Sequence, residues 1–314
     1  MSFLNKFQYH YHSKYLDELS NSENYLELLA YLEKLSNEKK IFHDLSFKYV
    51  NNAIHSLSDD VSNKKIVWIN SFLNEDKKYV LSFLESYLSN FNPLKQIINS
   101  YQDEINKILL KSEKIDLNTL INHSYFFQWM VINKQKFPYK FISNNLPFFS
   151  TEKNFNFSKS NITQAYVYII NHPYEVYKFL KRKHNNDQEI ARNIFLNLDH
   201  KASLEEHNSS SFYLSKKGWH TNIQSWTDAN VINSLKGKII SKKELHNNSY
   251  EVLSSIILHF IQSGVEIDLN YDLIDDFVKK NPLTQDDLDD EISSKEKKFL
   301  DKYINDIIEN YDSL

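Results

Sequence analysis

Side chains able to do chemistry gather between residues 200 and 228. His200, Glu206 and His207 are metal-ligating types, and helical spacing over 199–207 puts the two histidines on one face, seven residues apart. Seven residues rise about 10.5 Å, too far for one ion unless another element supplies ligands between them. The Glu-x-x-His pairs of a di-iron bundle are missing, as is His-Glu-x-x-His. These three are weak metal candidates, and a solvated polar face is the simpler account.

Just downstream, Lys216, Lys217, Gly218, Trp219, His220, Trp226 and Asp228 fall in chain without a clear period. A histidine between tryptophan and lysine suits acid, base or phosphate-contact chemistry. His207, Lys217, His220 and Asp228 are therefore the catalytic candidates, with Trp219 and Trp226 as binding surfaces. Both tryptophans would equally serve to anchor this stretch on a core. No Gly-x-Ser-x-Gly surrounds the serines, which weakens a nucleophile reading.

Two charged clusters point to partners. Lys178, Lys181, Arg182, Lys183 and His184 follow Tyr166, Tyr168, Tyr174 and Tyr177, a mixture suited to a nucleic-acid backbone and its bases. Cations closing a helix explain the same lysines through its dipole. Arg182/His184 and Arg192/His200 miss the Arg-x4–6-His spacing of a HEPN-type ribonuclease. Asp286, Asp287, Asp289, Asp290 and Glu291 form an acidic block. Residues 1–264 carry 31 Lys+Arg against 26 Asp+Glu, and residues 265–314 carry 6 against 15, so +5 faces −9. Such segregation steers association with a basic partner or keeps a surface solvated.

The elements that must position these groups read as helices. The sequence holds three glycines, none before Gly218, so a Walker loop, a Rossmann fingerprint or a kinase glycine loop is excluded in its usual form. Two-residue hairpins are nearly excluded too. Zero cysteines remove disulfides, thiol nucleophiles and Cys-type metal sites. Lys, Asn, Ile and Tyr are plentiful while Ala, Pro and Arg are scarce, the imprint of an AT-rich coding sequence. The first residues show no secretory signal, and no window approaches the ~18 apolar residues of a membrane span.

Along the chain, Ser20 with Glu23 forms a capping box, and Val80, Phe83, Leu84, Tyr87 and Leu88 form one helical stripe. Asn92-Pro93 opens another, Leu94 to Leu109. The pattern breaks over 134–160 and resumes as helices at 162–170, 173–183 and after Asp187. Thr227 is read as the cap of a short helix that ends at Gly237. Val252 to Ile261 stops at Gly264, and residues 265–271 alternate as a short strand or an extended link.

The expected fold is all-α, an irregular multi-helix bundle or short α-solenoid. It would have an N-terminal helical lobe at 1–133, an irregular connection at 134–160, and a C-terminal helical lobe with an acidic end at 161–314. The expected function is a soluble, cytoplasmic protein-interaction module without intrinsic catalysis or cofactor: an adaptor, an immunity-type inhibitor or an assembly subunit. The alternatives are a hydrolase or transferase with its site in 200–228, and a helical nucleic-acid binder through 178–184.

Overall fold

A computed structural model of the chain describes residues 3–21, 65–90, 139–145, 147–148, 158–196, 218–283 and 292–301, with isolated positions between them. Its centre is a parallel β-sheet. Strands β1 (Lys65–Ser71), β2 (Ile97–Ile98), β3 (Tyr139–Asn144), β4 (Thr163–Ile170) and β5 (Gly237–Ser241) lie in the order β2-β3-β1-β4-β5. This corrects the all-α expectation and, with it, the helical bundle or solenoid.

The physical reason for the misreading lies in the strands themselves. β1 and β4 are buried on both faces, with Ile66, Val67, Trp68 and Ile69 at 0% exposure. Parallel strands covered on both sides read as continuous apolar runs and carry no period-2 signal. A run of that length cannot be told from a buried helix by periodicity. Glycine scarcity argues only against tight hairpins; parallel strands are joined by long crossovers that need none. So 163–170, read as helical, is β4, and Ile97–Ile98, in the stripe read from Leu94 to Leu109, is β2. β3 lies inside the stretch read as irregular. Residues 265–270, where a short strand was one option, are an extended link with Val265 and Ile267 buried.

Register fixes which side chains meet. Trp68 stands opposite Ile142 on β3 and Tyr166 on β4, and Asn70 opposite Asn144 and Tyr168. One face of the sheet, with Val67, Ile69, Phe141, Val167 and Ile169, packs on α2 (Asn74–Leu88), α8 (Ser249–Gln262) and α9 (Tyr271–Lys280). The other face, with Ile66, Trp68, Ile142, Tyr166 and Tyr168, packs on α3 (Pro173–Lys183), α4 (Gln188–Leu196), α5 (Trp219–Thr227) and α6 (Ala229–Leu235). Two layers of helix therefore sandwich a buried sheet, the standard solution for an all-parallel one. The short α7 (Lys242–Asn247) follows β5 directly.

Helix signals were sounder than the fold they implied. The 80–88 stripe lies in α2, and Asp187 caps α4, its Oδ1 accepting from the N–H groups of Glu189 and Ile190 at 2.9 and 3.0 Å. Others shift. α1 (Phe3–Asn21) runs straight through Ser20, the expected cap. Residues 219–227, read as irregular, are the helix α5. The next helix is capped by Asp228, not Thr227, and closes on Lys236 in the left-handed region at φ 52°. Among the described residues no helix is long and apolar enough to cross a membrane.

Candidate active site at the carboxyl end of the sheet

All five strands end on the same edge of the sheet. From there β1 connects towards the β3–β2 side and β4 towards β5. Where neighbouring strands depart in opposite directions, a crevice opens beyond their carboxyl ends, and ligands of open α/β sheets bind there. Here that edge is lined by buried polar side chains: Asn70 and Ser71 of β1, Asp76 and Lys77 of α2, Ser143 and Asn144 of β3, and Asn171 just after β4. Polar groups are removed from water only at a cost unless they are paired.

Asp76 is the centre of this cluster. It sits in the first turn of α2, is 3% exposed, and receives Asn171 Nδ2 at 3.0 Å and Lys242 Nζ at 3.1 Å on the same oxygen, Oδ1. Its other oxygen, Oδ2, is buried with no hydrogen-bond partner among the described residues. Burial pushes the Asp76 carboxyl above its usual range, and the ammonium of Lys242 offsets only part of that. Asn171 is fixed from its other end, because its Oδ1 accepts from the His172 N–H at 2.8 Å.

Lys77, 1% exposed, extends along the edge. Its Nζ donates to the Asn144 carbonyl at 2.7 Å and to Asn145 Oδ1. Asn144 Nδ2 in turn donates to Asn70 Oδ1 at 3.2 Å, and the Nδ2 of Asn70 is a buried donor without a partner among the described residues. The turn from β1 into α2 needs no glycine. Phe72 and Leu73 suffice, and Ser71 Oγ bonds the Leu73 carbonyl across it. Leu73, the N-cap of α2, makes no side-chain cap bond to the first N–H groups of the helix, which begins at the carboxyl end of β1.

The residues expected from the sequence lie elsewhere. His200, Glu206, His207 and Lys217 are outside the described residues, as are Asp286, Asp287, Asp289, Asp290 and Glu291. Among the described residues no group of three His, Cys, Asp or Glu is placed to hold a metal. Trp219 and Trp226 are core side chains, 1% and 0% exposed, with Trp219 stacked on Phe195 at 5.4 Å. His220 is half-buried in the first turn of α5, and Asp228 spends its Oδ1 on the N–H groups of Asn230 and Val231. Lys181 pairs with Glu296 at 3.3 Å, Arg182 lies in the last turn of α3, and Lys183 sits 5.8 Å over the Phe179 ring.

Asp76, Lys77, Asn171 and Lys242 were missed. The signal for Asp76 and Lys77 is a charged first turn directly behind a β-branched run, Lys65–Ser71, legible only once the run is read as a strand.

The chain is thus an α/β protein with a parallel sheet and a buried polar cluster at its switch point. No protein-family model and no curated protein matches it. Among solved structures it is similar to the crystal structure of mouse sulfotransferase SULT7A1 complexed with PAP. The identity is 12%, the match covers 87% of this chain and 90% of that one, and the TM-score is 0.45. At that identity and score the likeness carries no chemistry from one chain to the other. The expectation of a non-catalytic helical adaptor is nevertheless corrected along with its frame. It joined an all-α frame to the lack of a cofactor loop, a thiol or a spaced metal set, and that frame is replaced by a parallel sheet.

Proposed function

We propose that this chain is a group-transfer enzyme, taking a group from an anionic donor and passing it to a hydroxyl or amine of an acceptor bound at the same edge. The observation that carries this reading is Asp76, a buried carboxylate held on one oxygen by Lys242 and Asn171, with the other oxygen unpartnered among the described residues at the switch point. A carboxyl raised by burial is poised as a general base. It would take the proton from the attacking hydroxyl or amine as the new bond forms and the bond to the donor breaks. Lys77, Lys242 and the uncapped start of α2 would meet the charge of the departing anion. Fold alone does not assign function, so the reading stands on these side chains.

Titration calorimetry of the full chain with PAP, ATP and inorganic pyrophosphate tests it. Lys77→Met should weaken the tightest of these roughly tenfold or more, as expected for a lost charge-assisted contact. Asp76→Asn should leave that affinity within about threefold while abolishing turnover with ATP or pyrophosphate, the two probes with an anhydride bond to break; PAP reads binding alone. Absence of binding by all three anions, or full turnover by Asp76→Asn, overturns the reading.

A further inference from the structure

Lys77 reaches its place through a chain of contacts that leaves α2 and ends on α5. Tyr168 Oη, on β4, donates to Asn222 Oδ1 at 2.6 Å. Asn222 Nδ2 donates to the Asn145 carbonyl at 2.9 Å. Three residues on, the Phe148 N–H donates to Ser225 Oγ at 2.9 Å. α5 thus grips the chain leaving β3 at two points, 145 and 148. That same chain supplies two acceptors of the Lys77 ammonium, the Asn144 carbonyl and Asn145 Oδ1. Asn222 is 1% exposed and Tyr168 is 1% exposed. Burial first, then the nearby Asp76 charge, pushes the Tyr168 phenol well up, so it stays a neutral donor.

An amide is well suited to this position. Asn222 accepts from the phenol with its oxygen and donates to the backbone with its nitrogen, which no hydroxyl or carboxylate reproduces in one side chain of that shape. The sheet side is held by the ladder, because Tyr168 stands in register with the buried Asn70 near the carboxyl end of β1 and β4. The loop side is short, with the buried Pro147 between the two grips. α5 therefore works as a strut between sheet and loop.

We infer that Asn222 is a positioning residue for Lys77. It sets where the ammonium stands at the sheet edge by holding the chain that leaves β3. The consequence for ligand affinity rests on the anion-dependent transfer proposed above; the consequence for the lysine itself does not. Energetic coupling between Asn222 and Lys77 is the decisive property, since residues acting through one another fail to add.

Two measurements on the full-length chain test this. The first is a double-mutant cycle of Asn222→Ala and Lys77→Met, read as the dissociation constant of the tightest of PAP, ATP and pyrophosphate. Asn222→Ala should weaken binding roughly five- to tenfold in the parent and less than twofold in the Lys77→Met background. Equal losses in both backgrounds, or none in either, overturn the inference.

The second needs no ligand: the rate of reductive methylation of Lys77 against that of Lys181, followed by mass spectrometry. Asn222→Ala should speed labelling of Lys77 several-fold with Lys181 unchanged. Unchanged labelling of Lys77, or equal acceleration of both lysines, overturns the inference. If Asn222→Ala does not fold, Ser225→Ala removes the second grip and should give the same selective labelling. A parent chain that binds none of the three anions, yet shows the selective labelling, sinks the transfer reading and leaves the positioning role standing.

Discussion

Asp76 is where the sheet, two helices and the strand-end amide of Asn171 meet, and its ionisation couples to stability. Because burial lifts its folded pKa above the unfolded value, the folded state holds more protons between the two. The protonated group therefore contributes stability below the ordinary carboxylate range, and that contribution is lost as pH rises through the shifted value. Replacing Asp76 by Asn removes this slope. The melting temperature of Asp76→Asn, relative to the parent, should climb between pH 4 and pH 7.5 even though Lys242 loses its counter-charge. Parallel melting curves across that range would show that Asp76 does not titrate with the fold. At the same scale, Gly237 is the glycine that matters. It stands opposite Tyr166 in the ladder, and an added Cβ would lie 2.2 Å from a carbon of the Tyr166 ring. The sequence puts this glycine just past a helix C-terminus, and it does follow Lys236, the C-cap of α6. The close approach of an aromatic ring is a second constraint, and that information resides on β4, 71 residues earlier.

At the scale of elements, amphipathic helices were legible and strands were not. α2, α3 and α4 each bury one stripe and show mostly polar residues elsewhere, so a 3.6-residue period survives in the sequence. β1 and β4 bury both faces and leave no period to read. The candidate site inherits that blindness. Asp76 and Lys77 look like an ordinary charged first turn until β1 is recognised behind them, and Lys242 lies on the far side of the sheet order, 166 residues from its carboxylate. The segment 219–227 failed for another reason: Trp, His, Thr, Asn and Ser are poor helix formers, and burial overrides them. Its anchor is Trp226, fully buried between Tyr166 at 5.0 Å and Phe148 at 5.3 Å, with its carbonyl accepting the Tyr166 hydroxyl. Trp226→Ala should cost about 3–5 kcal/mol, as aromatic truncation in a packed core does. Trp226→Phe, which keeps part of the ring contacts, should cost less than half of that. Urea unfolding of the two variants measures both.

Across the whole molecule, the described segment 292–301 braces the helix that begins beside the site. α3 starts at Pro173, two residues after Asn171, and the segment 292–301 lies against it. Leu300 is fully buried, Arg192 stands 4.4 Å over the Phe299 ring, and Tyr174 donates to Asp301, with burial first and then that carboxylate pushing the phenol up to about 12. Glu296 ties the two together. It accepts from the Ser293 N–H at 3.0 Å, from Ser293 Oγ at 2.6 Å and from Tyr177 Oη at 3.2 Å, and pairs with Lys181 at 3.3 Å. Burial raises its carboxyl, but the Ser293 bonds and Lys181 together outweigh it, and the group ends below its ordinary value. The sign is then opposite to that of Asp76. The contribution is present above the ordinary carboxylate range and fades as pH falls through the depressed value. Glu296→Gln keeps the shape but loses the charge. At neutral pH it should expose Lys297 and Lys298 to trypsin several-fold faster than in the parent, with cleavage in α3 unchanged. It should also flatten the acid side of the melting profile between pH 5 and pH 3. Equal cleavage rates at neutral pH would mean that packing of Leu300 and Phe299, not the buried carboxylate, holds this segment down.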